Sequence, residues 1–166
     1  MGTGYTFTCS KCKHNYSASW GIGFSFPQVY EDTVKKIKAG AYGSLWQDLM
    51  NREKYVVTDA EKYIYICGKC NAWKSEQCLS LYIPKDPEQL KIKYKLDSID
   101  ELNERPYILL GEIRAEYRIL KRYVHKCDKC SGVMHRATED ELNVLPCPKC
   151  GGEPENPGYM EMIMWD

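Results

Sequence analysis

The 166-residue chain lacks any apolar run near the ~18 residues that a membrane-spanning helix needs, so no such span is expected. Its opening MGTGYTFTCS has no basic stretch followed by an apolar one, which argues against a secretory signal and favours a cytoplasmic protein. Gly2 and Thr6 fit a myristoylation pattern, but the same residues read better as a strand running into Cys9. Net charge is also missing: 23 basic side chains balance 23 acidic ones. A neutral chain is a poor general nucleic-acid binder, and only a locally basic face would change that. Phenylalanine is scarce, at 3 residues against 13 tyrosines. Tyrosine buries a ring and keeps a polar tip, which suits thin sheets with little interior.

Catalytic signatures are absent as well. There is no Gly-Lys-Ser/Thr phosphate loop, no HExxH and no GxSxG. The three histidines form no pair. His14 sits near the first cysteine turn, His125 and His135 flank the third, and Asn143 follows. A zinc-framed nuclease would place histidines and an asparagine together between its knuckles, so no enzyme is expected.

Cysteine is abundant. Eight of the nine form four C-x-x-C pairs: Cys9/Cys12, Cys67/Cys70, Cys127/Cys130 and Cys147/Cys150. Each pair has lysine before its second member (Lys11, Lys69, Lys129, Lys149), available to offset thiolate charge or simply solvated. A C-x-x-C turn aims two sulfurs at one tetrahedral ion, and two turns close a four-sulfur shell. Disulfides would need an oxidising compartment. Thioredoxin-like chemistry uses one such motif at a helix start, and iron–sulfur clusters usually draw on denser cysteine runs. Two structural Zn2+ ions are the expectation, and they would take the net charge to about −4. Cys130 and Cys147 are separated by about 16 residues, within ribbon spacing, so the last four cysteines are expected to share one site and the first four the other. Cys78 is left as an inert thiol near a sheet. Met160, Met162 and Met164 could suggest a thioether copper site, but alternation on a strand explains them as packing.

The expected fold class is α+β: small antiparallel sheets on two zinc ribbons, with a helical insertion in the first. The expected division is 1–84 (ribbon, insertion at about 20–52), 85–110 (connector) and 111–166 (second ribbon). Strands are read at YTFTC, from His14 to Trp20, at YIYICGKC with CLSLYI as its partner, at LKIKYKL from Leu90, from Tyr117 into Cys127, and at YMEMIMW. Two helices fill the insertion: one starts at Pro27 and stops at Gly40, and one starts from a Ser44/Gln47 capping box. A further capping box is read at Ser98/Glu101, and a short capped turn from Thr138 to Glu141.

The knuckles CSKC, CGKC, CDKC and CPKCGG resemble those of rubredoxin-type zinc ribbons. The N-terminal half, with CSKC, GIGFSFP and a late CGKC, is similar to uncharacterised double zinc-ribbon proteins of Gram-positive bacteria. The resemblance implies structural zinc and names no substrate. It leaves a protein-interaction or adaptor module as the first reading, with Trp20, Phe24, Phe26 and Tyr42 as candidate partner-binding residues and Trp46 assigned to the core. The second reading is nucleic-acid binding through Arg114, Arg118, Lys121, Arg122 and Lys126, with Tyr117 and Tyr123 available to stack on bases.

Overall fold

In a computed structural model, residues 2–155 and 159–163 are described, the last five by backbone alone. The protein is a mixed α+β chain built from three small antiparallel sheets and a few short helices. Its residues group into two interleaved units. One comprises 1–24, 61–77 and 124–166, and the other 25–60 and 78–123. This nested grouping differs from the linear division 1–84, 85–110 and 111–166.

The first unit repeats one design. Strands β1 (Gly2–Thr8) and β2 (Asn15–Trp20) form the expected hairpin around Cys9 and Cys12, and β9 (Tyr159–Ile163) pairs antiparallel on the other side of β1. Strands β4 (Lys62–Cys67) and β5 (Trp73–Gln77) form a second hairpin around Cys67 and Cys70, and β8 (Met134–Arg136) pairs antiparallel on the other side of β4. The orders β2-β1-β9 and β5-β4-β8 are therefore equivalent. Tyr159 to Ile163 of the expected closing strand lie in β9, while Met164 and Trp165 lie outside the described residues.

The core between the two hairpins explains the arrangement. Phe7, Tyr16, Ala18, Ile64, Ile66 and Leu145 are buried together. Each large apolar member contributes about 1.5–3 kcal/mol by leaving water. The Tyr16 hydroxyl donates to the Leu145 carbonyl at 2.6 Å, and the Trp73 indole donates to the Pro146 carbonyl at 2.7 Å. These contacts pin the segment before Cys147 against both hairpins.

The second unit holds α1 (Phe26–Lys38), α2 (Ser44–Arg52), the short β3 (Val57–Thr58), β6 (Leu81–Pro84), α3 (Pro87–Tyr94), α4 (Leu110–Glu116) and β7 (Tyr117–Lys121). Its sheet runs β3-β6-β7. Ile37, Trp46, Met50 and Leu81 form a buried cluster, and the Trp46 indole donates to the Leu79 carbonyl at 2.8 Å.

Several expectations are corrected. LYIP does not pair with YIYIC: β5 takes that place, and LYIP becomes the central strand β6 of the other unit. LKIKYKL is helical. Asp86 accepts from the Gln89 amide at 3.0 Å and Pro87 starts the helix, so the cap overrides the alternating pattern and leaves Ile92 77% exposed. Ser44 makes no capping box. Gly43, at φ 100°, occupies the cap position, and Gln47 instead donates to the Lys38 carbonyl at 3.0 Å. The ambiguous run from Glu112 splits into the end of α4 and strand β7, and the strand stops at Lys121 rather than reaching Cys127. The boxes at Ser98/Glu101 and Thr138/Glu141 both form, starting a 3-10 turn and the short α5 (Glu139–Asn143).

Candidate metal centres

Four turns with one backbone geometry present the cysteines. In each, the first cysteine's carbonyl accepts from the amide four residues on: Lys13, Asn71, Ser131 and Gly151, at 2.8–3.0 Å. The first cysteine's amide donates to the carbonyl five residues on: His14, Ala72, Gly132 and Gly152. The residue at the fourth step is left-handed every time, with φ of 56° at Lys13, Asn71 and Ser131 and 71° at Gly151. This reversal turns both sulfurs to the same side.

The turns pair in a nested order. Cys9 and Cys12 meet Cys147 and Cys150, and Cys67 and Cys70 meet Cys127 and Cys130. The expected sequential pairing, first with second and third with fourth, is overturned. In the outer tetrad, Sγ–Sγ distances are 3.5 Å (Cys9–Cys150), 3.8 Å (Cys12–Cys147) and 3.4 Å (Cys12–Cys150). In the inner tetrad they are 3.4 Å (Cys67–Cys130), 3.6 Å (Cys70–Cys127) and 3.5 Å (Cys70–Cys130). A disulfide would bring sulfurs to about 2.05 Å. Four sulfurs about 2.3 Å from a central ion stand about 3.8 Å apart. Each tetrad therefore has the donor set and spacing to hold one metal ion.

Backbone amides favour charge on the buried sulfurs. The Cys12 amide points at Cys9 Sγ (3.5 Å) and the Lys69 amide at Cys67 Sγ (3.4 Å). These amides first, and neighbouring thiols after them, pull Cys9 and Cys67 down to about 6, against a burial penalty. Cys127 is lowered in the same way, chiefly by the Cys130 amide. Cys130 and Cys150 receive an amide from Gly132 and Gly152, but crowding by the other sulfurs outweighs it and pushes both up to about 12. A divalent ion bound there would displace any protons the sulfurs retain.

Two functional positions escape a reading confined to the cysteines. A Cβ on Gly132 would lie 3.1 Å from Cys67 Sγ and 3.2 Å from Cys130 Sγ. A Cβ on Gly152 would lie 3.2 Å from Cys9 Sγ and 3.0 Å from the Lys11 Cβ. The signal available was glycine two residues after Cys130 and again after Cys150.

No histidine joins a tetrad. His135 pairs with Glu141 at 2.9 Å, and buried His125 lies over the Tyr65 ring at 3.9 Å. Cys78 joins neither tetrad; its thiol reaches the Ser80 hydroxyl at 3.3 Å. The four knuckle lysines are exposed.

The remaining candidates scatter. Arg114 is on helix α4, Arg118 and Lys121 are on β7, Arg122 follows it, and Lys126 belongs to the other unit. They do not share one strand face. Of the aromatics, Phe26 is buried and meets Tyr107 edge-on, while Tyr42 is half-buried against Tyr123. Trp20 packs on Tyr5, and Phe24 is 83% exposed. Trp46 is core, as expected.

Comparison with protein-family models, curated proteins and solved structures finds no match for this chain. Among the described residues, no helix is long and apolar enough to cross a membrane.

Proposed function

We propose that the chain is a zinc-clasped interaction module: two structural four-cysteine zinc centres of ribbon type fix one unit, and the protein acts by binding another protein rather than by catalysis. The observation that carries this reading is the pair of sulfur tetrads with edges close to the tetrahedral zinc–thiolate value. Zinc is the metal of choice for an all-thiolate tetrahedral shell without redox work. Four cysteines fill each shell and leave no position for an activated water, which supports a structural role over an enzymatic one. Nine free cysteines suit a reducing compartment such as the bacterial cytoplasm. The dispersal of Arg114, Arg118, Lys121, Arg122 and Lys126 weighs against the nucleic-acid reading.

Metal analysis and nucleic-acid titration of the native protein test this together. The expected result is two tightly held zinc ions per chain and no retention of DNA or RNA at physiological salt. Iron in place of zinc, fewer than two ions, or salt-resistant binding abolished by Arg118→Ala/Arg122→Ala would overturn it.

A further inference from the structure

The unit made of 25–60 and 78–123 holds a cavity of about 890 Å³, and no tetrad cysteine lines it. Its floor is mostly aliphatic: Val34, Met50, Val57, Leu102 and Ile108, with the buried Tyr30 ring beside them. Tyr30, Val34 and Lys38 follow at steps of four along α1, so one face of that helix supplies both floor and rim. The segment after α2 brings Glu53, Lys54 and Val56 into the lining. That segment is held against strain. Tyr55 is left-handed at φ 60°, and its hydroxyl donates to Asp100 Oδ1 at 3.1 Å. Asp100 lies in the 3-10 turn Ile99–Glu104, which itself supplies Leu102 and Glu104 to the same cavity. A cavity of this size, with an apolar floor and a few polar groups, has the form of a small-molecule site.

The charged side chains that line the cavity do not balance. Lys35, Lys38, Arg52, Lys54 and Arg105 stand against Glu31, Glu53 and Glu104. Lys35 pairs with Glu31 at 2.6 Å, and Arg105 commits its fork to Glu112. Arg52 reaches Asp48 at 3.9 Å, an exposed contact of little weight. Lys38 and Lys54 are exposed and have no ion-pair partner among the described residues. Lys38, Arg52 and Lys54 therefore remain against Glu53 and Glu104, an excess of one positive charge. A ligand with one negative charge neutralises that excess, and a cation adds to it. The aliphatic floor then selects an apolar body behind the charged head.

We propose that this cavity binds an aliphatic monocarboxylate, its head among Lys38, Arg52 and Lys54 and its chain laid across Val34, Met50, Val57 and Ile108. The site lies apart from the sulfur tetrads and adds a small-molecule ligand to the protein-binding function proposed above.

The test uses the full chain and three probes with one tail and different heads: dodecanoate, dodecanol and dodecylamine, each kept below the concentration at which it forms micelles. Calorimetry reads affinity, and methyl signals of Val34, Met50 and Val57 read location. Dodecanoate is expected to bind most tightly and dodecylamine least, with all three methyl sets shifted. Val34→Trp, which fills the floor, should abolish binding. Lys38→Glu/Lys54→Glu should weaken dodecanoate several-fold at an unchanged melting temperature, because both heads are exposed. Lys36→Glu, on the same helix but outside the lining, should leave it unchanged. Should Val34→Trp fail to fold, the exposed lysine pair decides alone. The proposal is overturned if dodecanoate does not bind, if dodecylamine binds as well or better, or if binding leaves Met50 and Val57 unshifted. Affinity indifferent to Lys38→Glu/Lys54→Glu overturns it equally.

Discussion

Replacing Cys9 and Cys150 together by serine should remove one metal and leave the other at native affinity, because the two cysteines belong to the same tetrad. Replacing Cys9 and Cys67 together should instead damage both centres. Structural zinc sites bind with about 10–16 kcal/mol spread over four ligands, so one lost thiolate costs about 3–4 kcal/mol, roughly 10²–10³ in affinity. Titration with a chromophoric chelator resolves that difference. The native chain should release two metals at high chelator strength, the Cys9→Ser/Cys150→Ser variant one, and the Cys9→Ser/Cys67→Ser variant none. Loop entropy does not stand in the way of the nested order. The closing separations are 57 residues from Cys70 to Cys127 and 135 from Cys12 to Cys147. Sequential pairing would close loops of about 55 and about 17 residues, an entropic advantage of only about 2 kcal/mol. Burial of Phe7, Ile64, Ile66 and Leu145 outweighs this several times over. If the Cys9→Ser/Cys67→Ser chain kept one metal at native affinity, the nested order would be wrong.

Two further outcomes follow from the geometry. Gly132→Ala and Gly152→Ala should each weaken one centre by about 1–3 kcal/mol, because the new methyl presses on ligand sulfurs, whereas Gly68→Ala, with nothing within 4 Å, should not; chelator competition reads all three. Glu112 accepts from Arg105, with the Nη2–Oε2 contact at 3.0 Å. Burial alone would raise its carboxyl, but hydrogen bonds from Arg105 and Tyr94 hold it below the ordinary range. A depressed carboxylate stabilises the fold above its unfolded pKa of about 4.3 and loses that contribution as pH falls through the folded value. Glu112→Gln should therefore cost about 1 kcal/mol at neutral pH, a value kept small by solvent screening, and the gap between the two denaturation curves should close in acid. A gap that persists at low pH would contradict the assignment.

How much was legible depends on the range of the interaction. The boxes at Ser98/Glu101 and Thr138/Glu141 were readable because donor and acceptor lie three residues apart. The Ser44/Gln47 box failed for the same local reason inverted: Gly43 can adopt φ 100°, so it takes the cap and frees Gln47 for Lys38. LKIKYKL was misread because alternation and the Asp86–Pro87 helix start competed, and the cap won. The internal duplication was invisible residue by residue, since the two hairpins share only their C-x-K-C turns.

The sequence alone determined the donor set: eight cysteines in four C-x-x-C turns, enough for two four-sulfur sites. It also determined most local elements, because caps and turns are settled within a few residues. Only the tertiary structure decided which turns meet. Spacing discriminates weakly, since loop closure grows with the logarithm of length, while apolar burial between distant hairpins and the segment before Cys147 is worth far more. That choice nests one tetrad inside the other along the chain.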